Sequence, residues 1–199
     1  MAIDKQDSVP RLIERLDAAT RARSTPSDSD VGRICVAVKN ALCDEVVQRG
    51  LQLPGVFLEP SPTSYARRLL HRDPDGRYSI VIMVWDANQG TPIHDHAGAW
   101  CVECVYEGRI EVTSYDIVGN ADNALVRFSM QNTTKATVGE AGALIPPHDY
   151  HVIENKTPTR AVTIHVYGGE MNGCHAFRPT DEDGVYEKHW CELCYTDCP

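Results

Sequence analysis

Two histidines one residue apart, His94 and His96, stand in the stretch Gly90-Thr-Pro-Ile-His-Asp-His-Ala-Gly-Ala-Trp-Cys101-Val-Glu-Cys-Val-Tyr-Glu-Gly108. On extended backbone, alternate residues face the same way, so a single metal ion can take both imidazoles. Runs rich in β-branched and aromatic residues flank the pair, Ile80 to Trp85 and Val102 to Tyr106, which puts the histidines on a sheet. Two ligands leave a site half built. A third is expected from a later strand packing back on this one, and His151 is the best candidate. It follows Pro146-Pro147, which fix a turn, and it opens the short apolar run His151-Val-Ile-Glu-Asn155. Three imidazoles accept zinc, nickel, copper or iron, and ligand softness does not choose among them.

Other chemistry-bearing residues are read less sharply. Thr163, His165 and Tyr167 alternate with Val162, Ile164 and Val166, so three polar groups share one strand face. Taken alone, that face points outward to water. Arg67 and Arg68 follow Tyr65 and by themselves suggest a solvated turn or strand edge, and Cys101 reads as a small core residue. Cys104 faces away from Cys101 by alternation and packs. His71 adjoins the turn signal Arg72-Asp-Pro-Asp-Gly76 and is expected to be exposed. Glu107-Gly108 looks like a hairpin turn into Ile110 to Tyr115, while 118–123 and 131–135 look like loops.

Together these stretches resemble the two sequence motifs of the cupin superfamily, a small β-barrel or jelly roll. The first motif runs from Gly90 through His94 and His96 to Gly108, and the second places Pro146 five residues before His151 and Asn155 four after it. That spacing prefers His151 to His148. Where cupins usually carry a glutamate ligand, this chain has Cys101, and the pattern is similar to the cysteine dioxygenase family from about Tyr65 to Phe177. The matching residues include Tyr65-Ala-Arg67, Trp85, His94-Asp-His96, Cys101, Thr163-Ile-His165-Val-Tyr167 and Cys174-His-Ala-Phe177. The resemblance implies iron(II) on the neutral histidines His94, His96 and His151, with a small thiol and dioxygen as partners. It implies that Arg67 grips the substrate carboxylate while Tyr65 orients it. It turns Tyr167, His165 and Thr163 inward as a hydroxyl relay, and it implies a thioether cross-link from Cys101 to Tyr167. Cys174 is placed near the mouth of the site. The implied reaction converts L-cysteine to cysteine sulfinate. Thr91-Pro-Ile-His-Asp-His and His165-Val-Tyr-Gly also look like the 3-mercaptopropionate branch, so that thiol or mercaptosuccinate is the rival substrate. A non-catalytic ligand-binding cupin is the rival from another class.

The whole chain must position these residues. Its 199 residues suit a mainly β barrel at 51–180 with an N-terminal helical extension at 1–50 and a Cys-rich tail at 181–199. Ser8-Val-Pro10 begins one helix, with Leu12, Ile13, Leu16 and Ala19 at helical spacing, and 23–30 is a connector. A second stripe runs from Val31 to Val46 and stops at Gly50. The net charge of -9 argues against nucleic acid, and no apolar run is long enough for a membrane span. With no signal-peptide pattern, a cytoplasmic monomer or weak homo-oligomer with reduced thiols is expected. The tail cysteines Cys191, Cys194 and Cys198 could alternatively hold a small zinc site.

Overall fold

The computed structural model describes residues 8–21 and 28–196. Helix α1 spans Ser8–Thr20 and buries Leu12 and Leu16, one turn apart. Helix α2, Asp28–Val47, starts three residues ahead of Val31, the first residue of the expected stripe. The chain leaves it through Gly50, whose φ of 63° lies in the left-handed region. Most of the expected connector, the first residues of the chain and Cys198 lie outside the described residues.

Among the described residues eleven strands follow: β1 Ala66–Arg72, β2 Ser79–Trp85, β3 Ile93–His94, β4 Cys101–Glu107, β5 Arg109–Val118, β6 Leu125–Thr137, β7 Ala141–Leu144, β8 His151–Glu154, β9 Ala161–Tyr167, β10 Gly173–Pro179 and β11 Val185–Glu192. They form a five-stranded sheet in the order β1-β2-β9-β4-β7 and a closed one in the order β10-β11-β6-β5-β8-β3. The expected mainly β fold with N-terminal helices is what the chain adopts.

Strands β2 and β9 are buried on both faces, which is why β2 reads as a nearly continuous apolar run, while β9 alternates with both its apolar and its polar face covered. One face, with Ile80, Ile82, Val84, Val102, Cys104 and Ile164, packs on Leu12, Leu16, Val38 and Leu42 of the two helices. The other face, with Val81, Met83, Cys101 and Tyr167, lines the barrel interior. Cys104 packs under the helices. Within the expected tail at 181–199, Val185–Glu192 form β11, which pairs with β10 and β6.

Several local expectations are corrected. Residues 131–135 are not a loop but part of β6, which pairs with β5 across an irregularity at Ser114/Tyr115. The segment is exposed and polar on both sides, so no alternation marks it as a strand. Glu107-Gly108 does not close a hairpin, because β4 pairs with β7 and β9 while β5 pairs with β6 and β8. The turn carries the chain from one sheet to the other. Gly108 has φ 77°, and a Cβ there would stand 2.7 Å from the Arg160 carbonyl oxygen; only glycine fits. Arg68 is buried and donates to the Glu59 carbonyl. His71 is half-buried, its Nε2 enclosed and its ring beside Tyr78. Both lie on β1, where packing overrides the expected solvent exposure.

The helices are also joined by charge. Glu45 of α2 is fully buried and meets Arg11 at 2.8 Å and Arg15 at 2.9 Å, both from α1. Burial would raise the Glu45 carboxyl, but the two guanidiniums outweigh it and hold it below its ordinary 4.5. A folded-state value below the unfolded one means that the stabilisation is complete above about pH 4.5 and is lost as pH falls through the folded value. Glu45→Gln is therefore expected to cost about 2 kcal/mol at pH 7, between an exposed pair and a fully buried one. In urea titrations, that difference from wild type should shrink toward pH 3. No helix among the described residues is long and apolar enough to cross a membrane.

Candidate metal centre and its cavity

The strand-to-loop course of the first motif places its histidines differently from a single straight strand. His94 ends the two-residue β3, and His96 lies beyond it in the loop. His151 opens β8 directly opposite His94 in register. The pairing is held by a close approach at Gly90, which bridges to Glu154; a Cβ there would come within 2.9 Å of the Ile153 carbonyl oxygen. Asn155, the last residue of the second motif, is fully buried, and its amide donates to the carbonyls of Trp85, Asp86 and Thr159. Its role is to tie the β8 exit to the end of β2.

One nitrogen of each of His94, His96 and His151 can be chosen so that all three lie within 4.8 Å of one another. Their outer nitrogens are engaged. His94 Nδ1 donates to the Pro92 carbonyl at 3.2 Å, His151 Nδ1 to the Asp149 carbonyl at 3.1 Å, and His96 Nδ1 meets the Asp149 carboxylate at 3.1 Å. Such contacts fix the tautomer and leave Nε2 as the inward electron-pair donor. His151 Nε2 is buried without a hydrogen-bond partner, and burial, with the neighbouring His151 and His96, holds His94 well below the usual histidine range. Burial likewise lowers His96, and three imidazoles converging with one buried nitrogen left without a hydrogen-bond partner suit a metal ion. His148, the competing position, is exposed beside Asp116.

Asp149 escaped the sequence analysis although it stands between the two candidate histidines of the second motif. Its carboxylate also accepts the His96 backbone N–H at 2.9 Å, so one residue orients two of the three rings. Asp149→Ala should weaken metal binding about 10- to 100-fold, measured by chelator competition, while the unfolding midpoint moves only modestly.

Beside the histidines lies a cavity of about 170 Å³, smaller than the ~300–1,000 Å³ of clefts for drug-sized ligands. Met83, Ile153, Met171 and Leu193 give it apolar walls, and Tyr65, Arg67, Glu103, His165 and Tyr167 give it polar ones. Arg67 is buried and donates through Nη2 to the Met171 carbonyl at 2.7 Å, while Nη1 has no partner. Its guanidinium lies 4.6 Å from the centre of the Tyr195 ring, and Tyr65 stacks on Trp85. Cys174 is buried at this cavity with its thiol pushed up to about 12 by burial, and Cys191 also lines it.

The polar face of β9 turns inward, against the outward expectation from alternation alone. The apolar face is covered by the helices, so both faces are buried. Trp85 Nε1–H donates to Thr163 Oγ1 at 2.9 Å, and Thr163 Oγ1 lies 2.7 Å from His165 Nε2. A tryptophan N–H can only donate, so the threonine proton is free to go to His165 Nε2. His165 Nδ1 then faces the Tyr167 hydroxyl at 3.4 Å. Burial holds the Tyr167 hydroxyl and the Cys101 thiol well above their ordinary ranges. Cys101 is the cross-strand partner of Tyr167 in the β4–β9 register.

Glu103 was missed. It follows Cys101 by two residues and so shares its face, and a carboxylate inside the run Cys101 to Val105 is the signal that could have found it. Its Oε1 lies 3.2 Å from His165 Nδ1 and 3.3 Å from His151 Nε2. Burial opposes the charge, but His165 and His151 outweigh it and hold the carboxyl well below the usual range. The expected all-neutral surroundings of the three histidines therefore include one carboxylate.

The family model for cysteine dioxygenase type I matches residues 57–180, more than half of the chain. The chain belongs to this family. It is 26% identical over 117 residues to the cysteine dioxygenase type 1 of Rattus norvegicus and, likewise, of Homo sapiens, covering 57% of this chain and 55% of each relative. The chain thus aligns with about half the length of the curated relatives it matches. Among solved structures, a Klebsiella pneumoniae protein with a double-stranded β-helix domain is 17% identical over 60% of this chain and 92% of its own, with a TM-score of 0.44. The five-stranded sheet and the closed six-stranded one agree with the barrel expected from the sequence.

Proposed function

We propose that the chain is a non-haem iron(II) thiol dioxygenase acting on L-cysteine, with His94, His96 and His151 as the residues that would hold the metal. The observation that carries the reading is the orphaned, buried His151 Nε2 beside two further imidazoles, at a small cavity that also holds a half-partnered guanidinium. Iron(II), when bound, supplies the redox chemistry that lets dioxygen react with a thiol. The net change is RSH plus O2 to RSO2H, with both oxygen atoms ending on sulfur.

The protein's own residues bind and orient. Arg67 Nη1 takes the substrate carboxylate while Nη2 stays on the Met171 carbonyl, and Tyr65 closes that end. The Met and Ile walls exclude water and strengthen the charge pairing. The Trp85–Thr163–His165 chain fixes the His165 ring, which holds the Tyr167 hydroxyl toward the reacting sulfur. Arg67 is the single Arg or Lys side chain among the described cavity residues, and Glu103 adds negative charge. One cation beside one anion suits an amino acid better than a thiol with two carboxylates.

Cys101 and Tyr167 carry a further expectation, the thioether. Sγ would bond to the phenol ring carbon as the thiol and ring hydrogens leave, with dioxygen as the oxidant. Supported by their register, the bond is expected as a linked Cys101–Tyr167 peptide lacking two hydrogens in mass spectra of protein turned over aerobically, and absent from a Cys101→Ala variant. The substrate assignment is tested by oxygen uptake with L-cysteine, 3-mercaptopropionate and mercaptosuccinate side by side. Cysteine should give the highest kcat/KM. A rival thiol ahead by more than about tenfold, ~1.4 kcal/mol of transition-state preference, overturns the assignment to cysteine.

A further inference from the structure

Cys191, one of the cysteines of the C-terminal stretch, lies on β11 directly opposite Cys174 on β10. Opposite residues of an antiparallel pair share one face of the sheet, and both side chains line the cavity that holds Tyr65 and Arg67. Their α-carbons are thus about 4.5–5.5 Å apart, inside the ~4.4–6.8 Å span that a disulfide bridges. Both thiols are free. The register that sets them opposite is held from the other face of the sheet, where a Cβ on Gly173 would stand 2.3 Å from the Trp190 ring. The segment leaving β11 covers the arginine. Leu193 lines the cavity, and the Tyr195 ring lies 4.6 Å from the Arg67 guanidinium. Arg67 N–H donates to Thr196 Oγ1 at 3.0 Å, and Thr196 N–H donates to the Arg67 carbonyl at 2.6 Å. On its other side β10 pairs with β3, with Ala176 opposite His94. A bond between Cys174 and Cys191 therefore ties the cover over Arg67 to the strand beside the histidines.

We propose that Cys174 and Cys191 form a reversible disulfide by exchange with a small disulfide such as cystine, and that the bond locks residues 191–196 over Arg67 and restricts entry of the thiol substrate. Cys174 is buried and Cys191 half-buried, so Cys191 meets the small disulfide RSSR first. Its sulfur attacks one sulfur of RSSR, and its proton leaves with the departing RS⁻ as RSH. Cys174 then attacks the Cys191 sulfur of the mixed disulfide, closing the protein bond and releasing the second RSH. The two protein thiols lose two electrons and two protons, and the small disulfide gains them. A high ratio of thiol to disulfide runs the exchange backward and frees the cover, so the cavity responds to the supply of its own substrate. Formation of the bond is independent of the reaction, whereas its effect on turnover rests on the thiol dioxygenase reading above.

The test treats the full, iron(II)-loaded chain with cystine in the absence of oxygen and then removes the excess. One portion is alkylated and digested without reductant. A peptide linking Cys174 to Cys191 is expected, two hydrogens lighter than the two thiol peptides together and lost on treatment with a phosphine reductant. In the other portion, initial oxygen uptake with L-cysteine should be at least about fivefold slower than in the reduced protein, rising with time as the substrate reopens the bond. Cys191→Ser should show neither the link nor the slow phase, and Cys174→Ser takes its place if that variant does not fold. A lasting mixed disulfide on Cys191, a link from Cys191 to Cys194, or an unchanged initial rate in the linked protein overturns the proposal. A link between Cys174 and Cys191 in a chain whose reduced form consumes no oxygen with any thiol supports the bond and overturns the dioxygenase reading alone.

Discussion

His151→Ala is expected to abolish stoichiometric iron retention and to lower thiol-dependent oxygen uptake by at least about a thousandfold, ~4 kcal/mol in the barrier. The ring is fully buried in the β8 register opposite His94, so solvent does not replace it easily as a ligand. Removing it also leaves the Asp149 carbonyl and the Glu103 carboxylate facing a void. The void itself costs stability, so the variant's unfolding midpoint must be measured beside its metal content. His148→Ala supplies the control. It sits three residues away and is exposed, and it should retain full iron content and activity. Loss of metal in both variants, or in neither, would remove His151 from the proposed centre.

Arg67→Ala is expected to lower kcat/KM for cysteine by about 10²- to 10³-fold, because a buried charge-assisted pair contributes roughly 3–4 kcal/mol when its partner has no alternative. A carboxylate in this small cavity has no other Arg or Lys to turn to. The discriminating control is cysteamine, which lacks the carboxylate and should lose far less. Arg67→Lys keeps the charge but loses the planar fork, and should recover only part of the activity. Equal losses for both thiols in Arg67→Ala would assign the residue to packing against Tyr195 rather than to substrate.

Much of the fold was legible because its signals are local. The Ser8-Val-Pro10 start, the Leu12–Leu16 stripe and the left-handed Gly50 each depend on neighbours in sequence, and the corresponding helices form. The histidine spacings drew attention to His94, His96 and His151 because a motif records residues whose side chains meet across strands. What was not legible depends on partners far away in the chain. Alternation cannot reveal that helices cover the other face of β9, so Thr163, His165 and Tyr167 look outward on their own. Arg68 looks solvated until the Glu59 carbonyl arrives. Glu103 is hidden differently, because it stands two residues beyond Cys101, outside the motif position usually held by glutamate. Asp149 has no periodic signature at all. Its importance lies in the His96 and His151 ring nitrogens it orients.

The most direct test of the central claim is a single turnover assay in ¹⁸O₂ with iron(II)-loaded protein and L-cysteine, with oxygen consumption and product mass followed together. The account predicts one cysteine sulfinate formed per dioxygen consumed, carrying both labelled atoms on sulfur. Cystine with hydrogen peroxide, a singly labelled product, or no oxygen consumption by fully metallated protein would contradict it.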